Sequence, residues 1–170
     1  MNPQIKETCI SSERLAISPI GIKDASFVLE LFNTSGWLKY IGDRNIHTVV
    51  DAEKFIENAV DNANACIWTI RLKDNTALPI GIITLIKRDY LLYPDLGYAL
   101  LPDWMNFGFA LEATYAMMQE IQTFHHFESL HAITLKENEQ SIKLLHKLDF
   151  NFEKDLVENA ELLQLFTFKL

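Results

Sequence analysis

The chain has 170 residues, of which 49% are hydrophobic, and its formal net charge at pH 7 is -8. This length fits one domain spanning residues 1–170, because domains most often contain ~100 to 150 residues. Binding to nucleic-acid phosphates needs clustered Lys and Arg, so the acidic balance argues against a nucleic-acid partner. The cysteines Cys9 and Cys66 show neither a disulfide framework nor a metal-ligand spacing. No apolar run approaches the ~18 residues of a membrane span, and the start lacks a signal-peptide pattern. We therefore expect a cytoplasmic protein that does not contact a membrane, and the absence of ligand spacing leads us to expect no metal.

The first third of the chain predicts one strand followed by two amphipathic helices. The segment "RLAISPI", Arg14–Ile20, alternates apolar residues ahead of a proline turn and predicts a short strand. Apolar residues then recur at helical spacing in "KDASFVLELFN", and again in "VVDAEKFIENAV" behind Thr48. Both helices should bury one face against the rest of the domain.

The middle of the chain predicts three antiparallel strands. The segments Cys66–Leu72, Pro79–Tyr90 and Asp95–Leu101 are rich in Ile, Leu, Thr and aromatic residues. Polar turns, "KDNTAL" and "LLYP", separate them. Short connections of this kind join antiparallel neighbours, so we expect a three-stranded meander.

The last third predicts a strand, a helix on each side of it, and a closing hairpin. A long helical stripe begins after Gly108, and "SLHAITL" (Ser129–Leu135) is strand-like. Asn138 is a helix cap for "EQSIKLLHKL", and "FNFEKDLV" and "ELLQLFTFKL" predict the hairpin. The fold class is therefore α/β, with a mixed, mostly antiparallel sheet, about four flanking helices and one parallel β-α-β crossover.

The loop "MNFGFA", residues 105–110, joins the predicted strand ending at Leu101 to the long helix. A helix that begins there aims unpaired backbone N–H groups and the positive end of the helix dipole at one point, which favours an anion. Pyrophosphate suits such a turn, because it needs several donors at close range and glycine allows close approach. A single glycine is equally compatible with an ordinary loop between a strand and a helix.

Four segments together resemble the GNAT acetyltransferase superfamily, and most closely its branch that includes the ribosomal-protein N-terminal acetyltransferases. They are "ERLAISPI", "PIGIITLIKRD", "PDLGYALLPDWMNFGFALEA" and "AITLKENEQSIKLLHKLDFNFE", in the order and at about the spacing of that family. The resemblance extends from Glu13 to about Glu153. It implies a single GNAT-like domain in which the parallel crossover forms the cleft for coenzyme A (CoA), with acetyl-CoA as co-substrate and a primary amine as acceptor.

The resemblance also implies roles for individual residues. Backbone N–H groups of the loop would bind the CoA pyrophosphate, and the end of the preceding strand would pair with the pantetheine amides. Asn138 would contact the pantetheine arm, Ser141 would protonate the leaving thiolate, and Asp95 would act as the general base. The residues expected to bind the cofactor through the loop and the strand end are Leu100, Leu101, Met105, Asn106, Phe107, Gly108, Phe109 and Ala110.

The chain departs from the family pattern in two places. The family usually has Gln or Arg, then often Gly and Lys, ahead of the glycine that matches Gly108; this chain has Met105, Asn106 and Phe107. Asn tolerates the left-handed backbone region, so the loop can keep its path while losing a positive charge, and we expect weaker CoA binding. The second departure is Asp149, where the family usually has glycine.

Three functions remain open from the sequence. The first is acetyl transfer in a ternary complex to a protein N-terminus or a small-molecule amine. The second is a catalytically weakened module that binds CoA or regulates a partner, and the third is an interaction domain in which the loop presents Phe107 to a partner. Asp95 could equally be a residue that ends a turn, and Asn138 and Ser141 could serve only the helix start. A homodimer follows from family resemblance alone.

Overall fold

The computed structural model describes residues 3–73, 78–158 and 160–170, and these residues build a mixed sheet of 8 strands flanked by helices. The strands are β1 (Ile10–Ser11), β2 (Leu15–Pro19), β3 (Ala65–Leu72), β4 (Pro79–Ile86), β5 (Asp95–Leu100), β6 (Ser129–Leu135), β7 (Asn151–Glu158) and β8 (Glu161–Lys169). The α-helices are α1 (Pro3–Lys6), α2 (Ala25–Phe32), α3 (Ser35–Tyr40), α4 (Val49–Asp61), α5 (Phe109–Thr123) and α6 (Glu139–Lys147).

The strands lie in the order β1-β2-β3-β4-β5-β6-β8-β7. Strands β5 and β6 run parallel, and the other neighbouring pairs run antiparallel. A parallel pair needs a crossover connection, and α5 provides it. The predicted fold class, a mixed and mostly antiparallel sheet with one parallel β-α-β unit, is confirmed.

Helices cover both faces of the sheet, and each face has its own hydrophobic cluster. Helices α5 and α6 contribute Met117 and Leu145 to the cluster that contains the fully buried Trp68 of β3. Helices α2 and α4 contribute Val28 and Ile56 to the cluster on the other face. The apolar stripes seen in the sequence are therefore the buried helix faces.

Helix α6 ends in a left-handed residue, which explains one departure from the family pattern. Asp149 has a φ of 61°. The N–H of Phe150 donates to the carbonyl of Leu145 at 3.0 Å, and the N–H of Asp149 donates to that of His146 at 3.2 Å. These are the two hydrogen bonds of a Schellman motif, whose left-handed position favours glycine. The chain keeps this helix end although it has an aspartate there.

The four predicted helices are present as α2, α4, α5 and α6, and two short helices were missed. Helix α3 begins after Thr34, whose hydroxyl accepts from the N–H of Trp37 at 3.3 Å. Helix α1 and strand β1 precede the first predicted strand and are too short to give a periodic signal. Strand β4 ends at Ile86, four positions before the predicted end at Tyr90. Of the predicted turn "KDNTAL", residues 74–77 lie outside the described residues.

Candidate functional site

The parallel strands β5 and β6 are joined at one end and open at the other. Their pairing consists of one bridge, between Asp95 and His131, where the N–H of His131 donates to the carbonyl of Pro94 at 2.9 Å. The next free N–H of β6, that of Ile133, donates to the Asp95 carboxylate at 3.1 Å. In a continued ladder this N–H would bond to a backbone carbonyl of β5. The side chain of Asp95 thus ends the ladder, and a gap follows between the C-terminal halves of the two strands.

Asp95, the residue predicted as the general base, is held firmly at the closed end of this gap. It is 5% exposed. Its second carboxylate oxygen accepts from the Arg88 guanidinium at 2.8 Å. Burial raises the pKa of Asp95, and the charge and hydrogen bond of Arg88 oppose that shift. These contacts give Asp95 a structural task in joining the strands, and its role as a base stays a prediction.

The two leucines at the end of β5 differ in the direction of their backbone groups. The N–H of Leu101 donates to Ile80 of β4 at 2.9 Å, and the carbonyl of Leu101 accepts from the N–H of Trp104 at 3.0 Å. Backbone groups alternate in direction along an antiparallel pair, so those of Leu100 point away from β4 and into the gap. Among the described residues, the strand end therefore offers an unpaired backbone edge at Leu100, whereas the backbone groups of Leu101 are already bonded.

The loop between β5 and α5 presents a run of backbone donors. Asn106 and Gly108 both lie in the left-handed region, with φ values of 66° and 83°, as expected for Asn106. The first helical bond of α5 runs from the N–H of Glu112 to the carbonyl of Gly108 at 3.0 Å. Within the described part of the chain, no acceptor is recorded for the N–H groups of residues 106–111. A glycine at the N-cap has no side chain to satisfy these donors, which leaves them available to an anion.

The side chains of the loop contribute no positive charge. Phe107 is 61% exposed, Phe109 is buried, and Met105 packs partly against the core. Ala110 lies in the first turn of α5 and is half-buried. The predicted cofactor-binding residues of the loop are thus adjacent, and what they offer to a ligand is backbone.

An arginine that the sequence analysis did not single out lies behind this loop. The Arg14 guanidinium donates to the carbonyl of Phe107 at 3.1 Å and to the Glu112 carboxylate at 2.7 Å, and it lies over the ring of Phe109 at 4.4 Å. Glu112 also accepts from the Arg14 N–H at 2.8 Å and from the Ser12 hydroxyl at 2.7 Å. Burial alone would raise the pKa of Glu112, but these hydrogen bonds lower it on balance. The carboxylate in the first turn of α5 is therefore charged and bonded to Arg14.

The predicted residues at the start of α6 lie on the far side of the gap. Asn138 caps the helix, since its side-chain oxygen accepts from the N–H of Ser141 at 3.2 Å. The hydroxyl of Tyr98 on β5 lies 3.1 Å from both the hydroxyl and the carbonyl oxygen of Ser141. Burial raises the pKa of Tyr98 to about 12, so its hydroxyl stays protonated at neutral pH. A pair of hydroxyl groups thus connects β5 to α6 across the gap.

The described residues contain no group of three or more His, Cys, Asp or Glu side chains arranged to hold a metal ion. Nor does any helix within residues 3–73, 78–158 and 160–170 have the length and apolar character needed to cross a membrane.

A parallel strand pair that separates beside a helix N-terminus with free donors is an arrangement suited to a long ligand with a phosphate end. The class of protein follows from the sequence of the whole domain. Residues 14–151 match the family described as Acetyltransferase (GNAT) domain, and the chain belongs to that family.

Individual relatives agree with this assignment. The chain is 28% identical over 145 residues to the uncharacterised N-acetyltransferase YnaD of Bacillus subtilis (strain 168), covering 85% of this chain and 83% of YnaD. A GNAT-family acetyltransferase of Bacillus anthracis superposes with a TM-score of 0.81 at 21% identity, covering 95% and 98% of the two chains. RimL, a ribosomal L7/L12 alpha-N-protein acetyltransferase in complex with CoA, superposes with a TM-score of 0.82 at 12% identity over 96% and 98%.

Proposed function

We propose that this protein transfers the acetyl group of acetyl-CoA to a primary amine by direct attack in a ternary complex. The observation that carries the proposal is the run of N–H groups at residues 106–111, which have no acceptor within residues 3–73, 78–158 and 160–170 and lie at the start of α5, beside the open end of the β5–β6 gap. Donors in this arrangement fit a diphosphate, and the helix dipole adds to the attraction. Membership of the acetyltransferase family supports acetyl-CoA as the ligand.

The gap supplies the path for the rest of the cofactor. A pantetheine arm carries two amides, and the free backbone edge of β5 at Leu100 can pair with one of them as a neighbouring strand would. Asn138 lies on the opposite side, and its side-chain NH₂ group has no acceptor recorded among the described residues. We assign the Asn138 NH₂ group a donor role toward the pantetheine, in addition to the capping role in which the side-chain oxygen accepts.

The transfer itself requires positioning and two proton movements. A neutral amine attacks the thioester carbonyl, and a backbone N–H of β5 stabilises the developing oxyanion; the C–S bond then breaks as the nitrogen loses a proton and the thiolate takes one up. The Ser141 hydroxyl supplies that proton in our proposal, and Tyr98 supports it, because a neutral phenol 3.1 Å away can donate to the serine oxygen. Asp95 is the candidate to take the proton of the ammonium, by itself or through water.

The acceptor is a primary amine, with a protein N-terminus and a small molecule as the two alternatives. The net charge of -8 favours an acceptor that arrives as a cation. RimL is a ribosomal L7/L12 alpha-N-protein acetyltransferase, and this chain shares its fold. An amine panel should therefore contain both short peptides with free N-termini and polyamines.

A second candidate function is a CoA-binding module without turnover. The engagement of the Asp95 carboxylate by Arg88 and Ile133 favours it, because both oxygens of this buried carboxylate already accept hydrogen bonds within the protein. The loop also lacks the basic side chain common in the family, which favours loose cofactor binding.

Thermal unfolding with and without acetyl-CoA, followed by a free-thiol assay, separates these functions. A ligand that binds only the folded state adds about 2.7 kcal/mol at 100 times its dissociation constant, so millimolar acetyl-CoA should raise the midpoint clearly. Release of CoA thiol that depends on an amine supports the enzyme, and a midpoint shift without thiol release across the panel supports the binding module. Absence of a shift contradicts both.

A further inference from the structure

The Arg14 side chain makes three contacts that hold it in one orientation against the loop. Its Nη1 donates to the carbonyl of Phe107, its Nε donates to Glu112, and its planar group lies over the ring of Phe109. A guanidinium can satisfy several partners at once because its donors form a rigid planar fork. Arg14 lies immediately before β2, at one end of a rigid sheet, so the loop is tied to the sheet through this residue.

The bond to the Phe107 carbonyl determines where the next N–H points. In a trans peptide the C=O and the following N–H point in opposite directions. Because the Phe107 carbonyl faces Arg14, the N–H of Gly108 faces the other way, away from the guanidinium. Glycine accepts both signs of φ, so the peptide between Phe107 and Gly108 needs an external partner to stay in this orientation.

Arg14 also removes an unfavourable charge from the phosphate end. Glu112 lies in the first turn of α5, where its carboxylate would repel a bound diphosphate. The carboxylate instead accepts from the Arg14 side chain, its backbone N–H and Ser12. Arg14 therefore stabilises the loop of residues 105–110 and offsets the negative charge of Glu112, the acidic residue in the first turn of α5.

We infer that Arg14 is a positioning residue for CoA: it orients the Gly108 N–H toward the diphosphate and thereby compensates for the basic side chain missing at Phe107. This inference rests on the proposed function, since it requires the diphosphate to bind at the loop. The orientation of the Gly108 N–H depends on the planar fork of donors in the guanidinium and not on its charge alone. A lysine at position 14 keeps the charge but cannot bond to Phe107 and Glu112 in the same way.

The test is calorimetric titration of CoA into the wild type and into the variants Arg14→Lys and Arg14→Ala. A control variant, Lys54→Ala, removes one positive charge from the exposed side of α4. We expect both Arg14 variants to bind CoA roughly 10-fold more weakly than the wild type, because one hydrogen bond to a charged group is misaligned. The amide resonance of Gly108 should move on CoA binding in the wild type and lose most of that shift in Arg14→Lys, a change that general loss of stability does not produce.

The outcomes separate this inference from the proposed function. If the wild type binds CoA and Arg14→Lys binds it within about twofold, with the Gly108 shift retained, the positioning role is refuted and the proposed function stands. If the wild type fails to bind CoA, the proposed function fails and this inference fails with it. Should Arg14→Ala not fold, Arg14→Lys decides the question, since it keeps the charge beside Glu112.

Discussion

Restoring a basic side chain in the loop should strengthen CoA binding, and Phe107→Lys is the substitution that does so. Phe107 is 61% exposed, and its ring centroid lies 6.0 Å from that of Phe109. The contact of Phe107 with Arg14 uses the backbone carbonyl, so it does not depend on the side chain. The substitution therefore changes the charge beside the phosphate position and disturbs little of the core.

The expected gain follows from Coulomb's law. An ammonium about 6 Å from two phosphate charges gains roughly 0.7 kcal/mol from each in a water-like dielectric, which is about 1.4 kcal/mol and roughly a 10-fold change in the dissociation constant at low salt. Screening over a Debye length of ~8 Å at physiological ionic strength halves this, leaving roughly a 3-fold gain. Binding should thus improve, and the improvement should shrink as salt is added.

Calorimetric titration of CoA at two salt concentrations measures this effect directly. The matched control is Phe107→Met, which removes the same aromatic ring without adding a charge. The reasoning is refuted if Phe107→Lys binds CoA no more tightly than Phe107→Met at low salt. A gain that does not depend on salt would also contradict it, because the proposed cause is electrostatic.

Three further predictions concern the elements that support the site. Asp149→Gly should raise the free energy of unfolding by roughly 0.5 to 1 kcal/mol in urea denaturation, because the residue has a φ of 61°; a loss of stability would contradict this. Asp95→Asn should lower that free energy by roughly 2 kcal/mol, since it leaves Arg88 with only the 4.0 Å ion pair to Glu158 and weakens the joint between β5 and β6; a stability equal to the wild type would count against the joint. Burial lowers the pKa of His131 from its ordinary value of 6.5. As the pH falls below that value, the unfolded chain therefore binds a proton that the folded protein does not bind. Stability should therefore decrease below about pH 6.5, and His131→Gln should lose less between about pH 7.5 and 5.5; equal losses would show that another group dominates.

The local pattern of apolar and polar residues was sufficient to predict most of the fold. The helical stripes of α2, α4, α5 and α6 and the alternating strands have the periods that distinguish these elements, so their order could be predicted. Asn106 could also be expected in the left-handed region, because its short polar side chain tolerates it, and its φ is 66°. Short elements such as α3, Ser35–Tyr40, contain too few residues to show a period.

The contacts that define the site come from pairs that are distant in sequence. Arg14 and Glu112 are 98 positions apart, and neither has a local pattern that identifies the other. A carboxylate in the first turn of a helix is favoured by the helix dipole, which accounts for Glu112 from the sequence, but its partners Arg14 and Ser12 are seen only in the fold. Likewise, the N–H of Leu101 is bonded because the register of the two strands places it opposite the carbonyl of Ile80. The sequence of either strand alone does not determine that register.

The most direct test of the account is a crystal structure of the protein grown with CoA. The account predicts density for the diphosphate within hydrogen-bond distance of the N–H groups of residues 106–111, and for the pantetheine arm between β5 and β6, beside Leu100 and Asn138. A structure that contains CoA elsewhere on the protein, or one in which millimolar CoA leaves this gap empty, would contradict it.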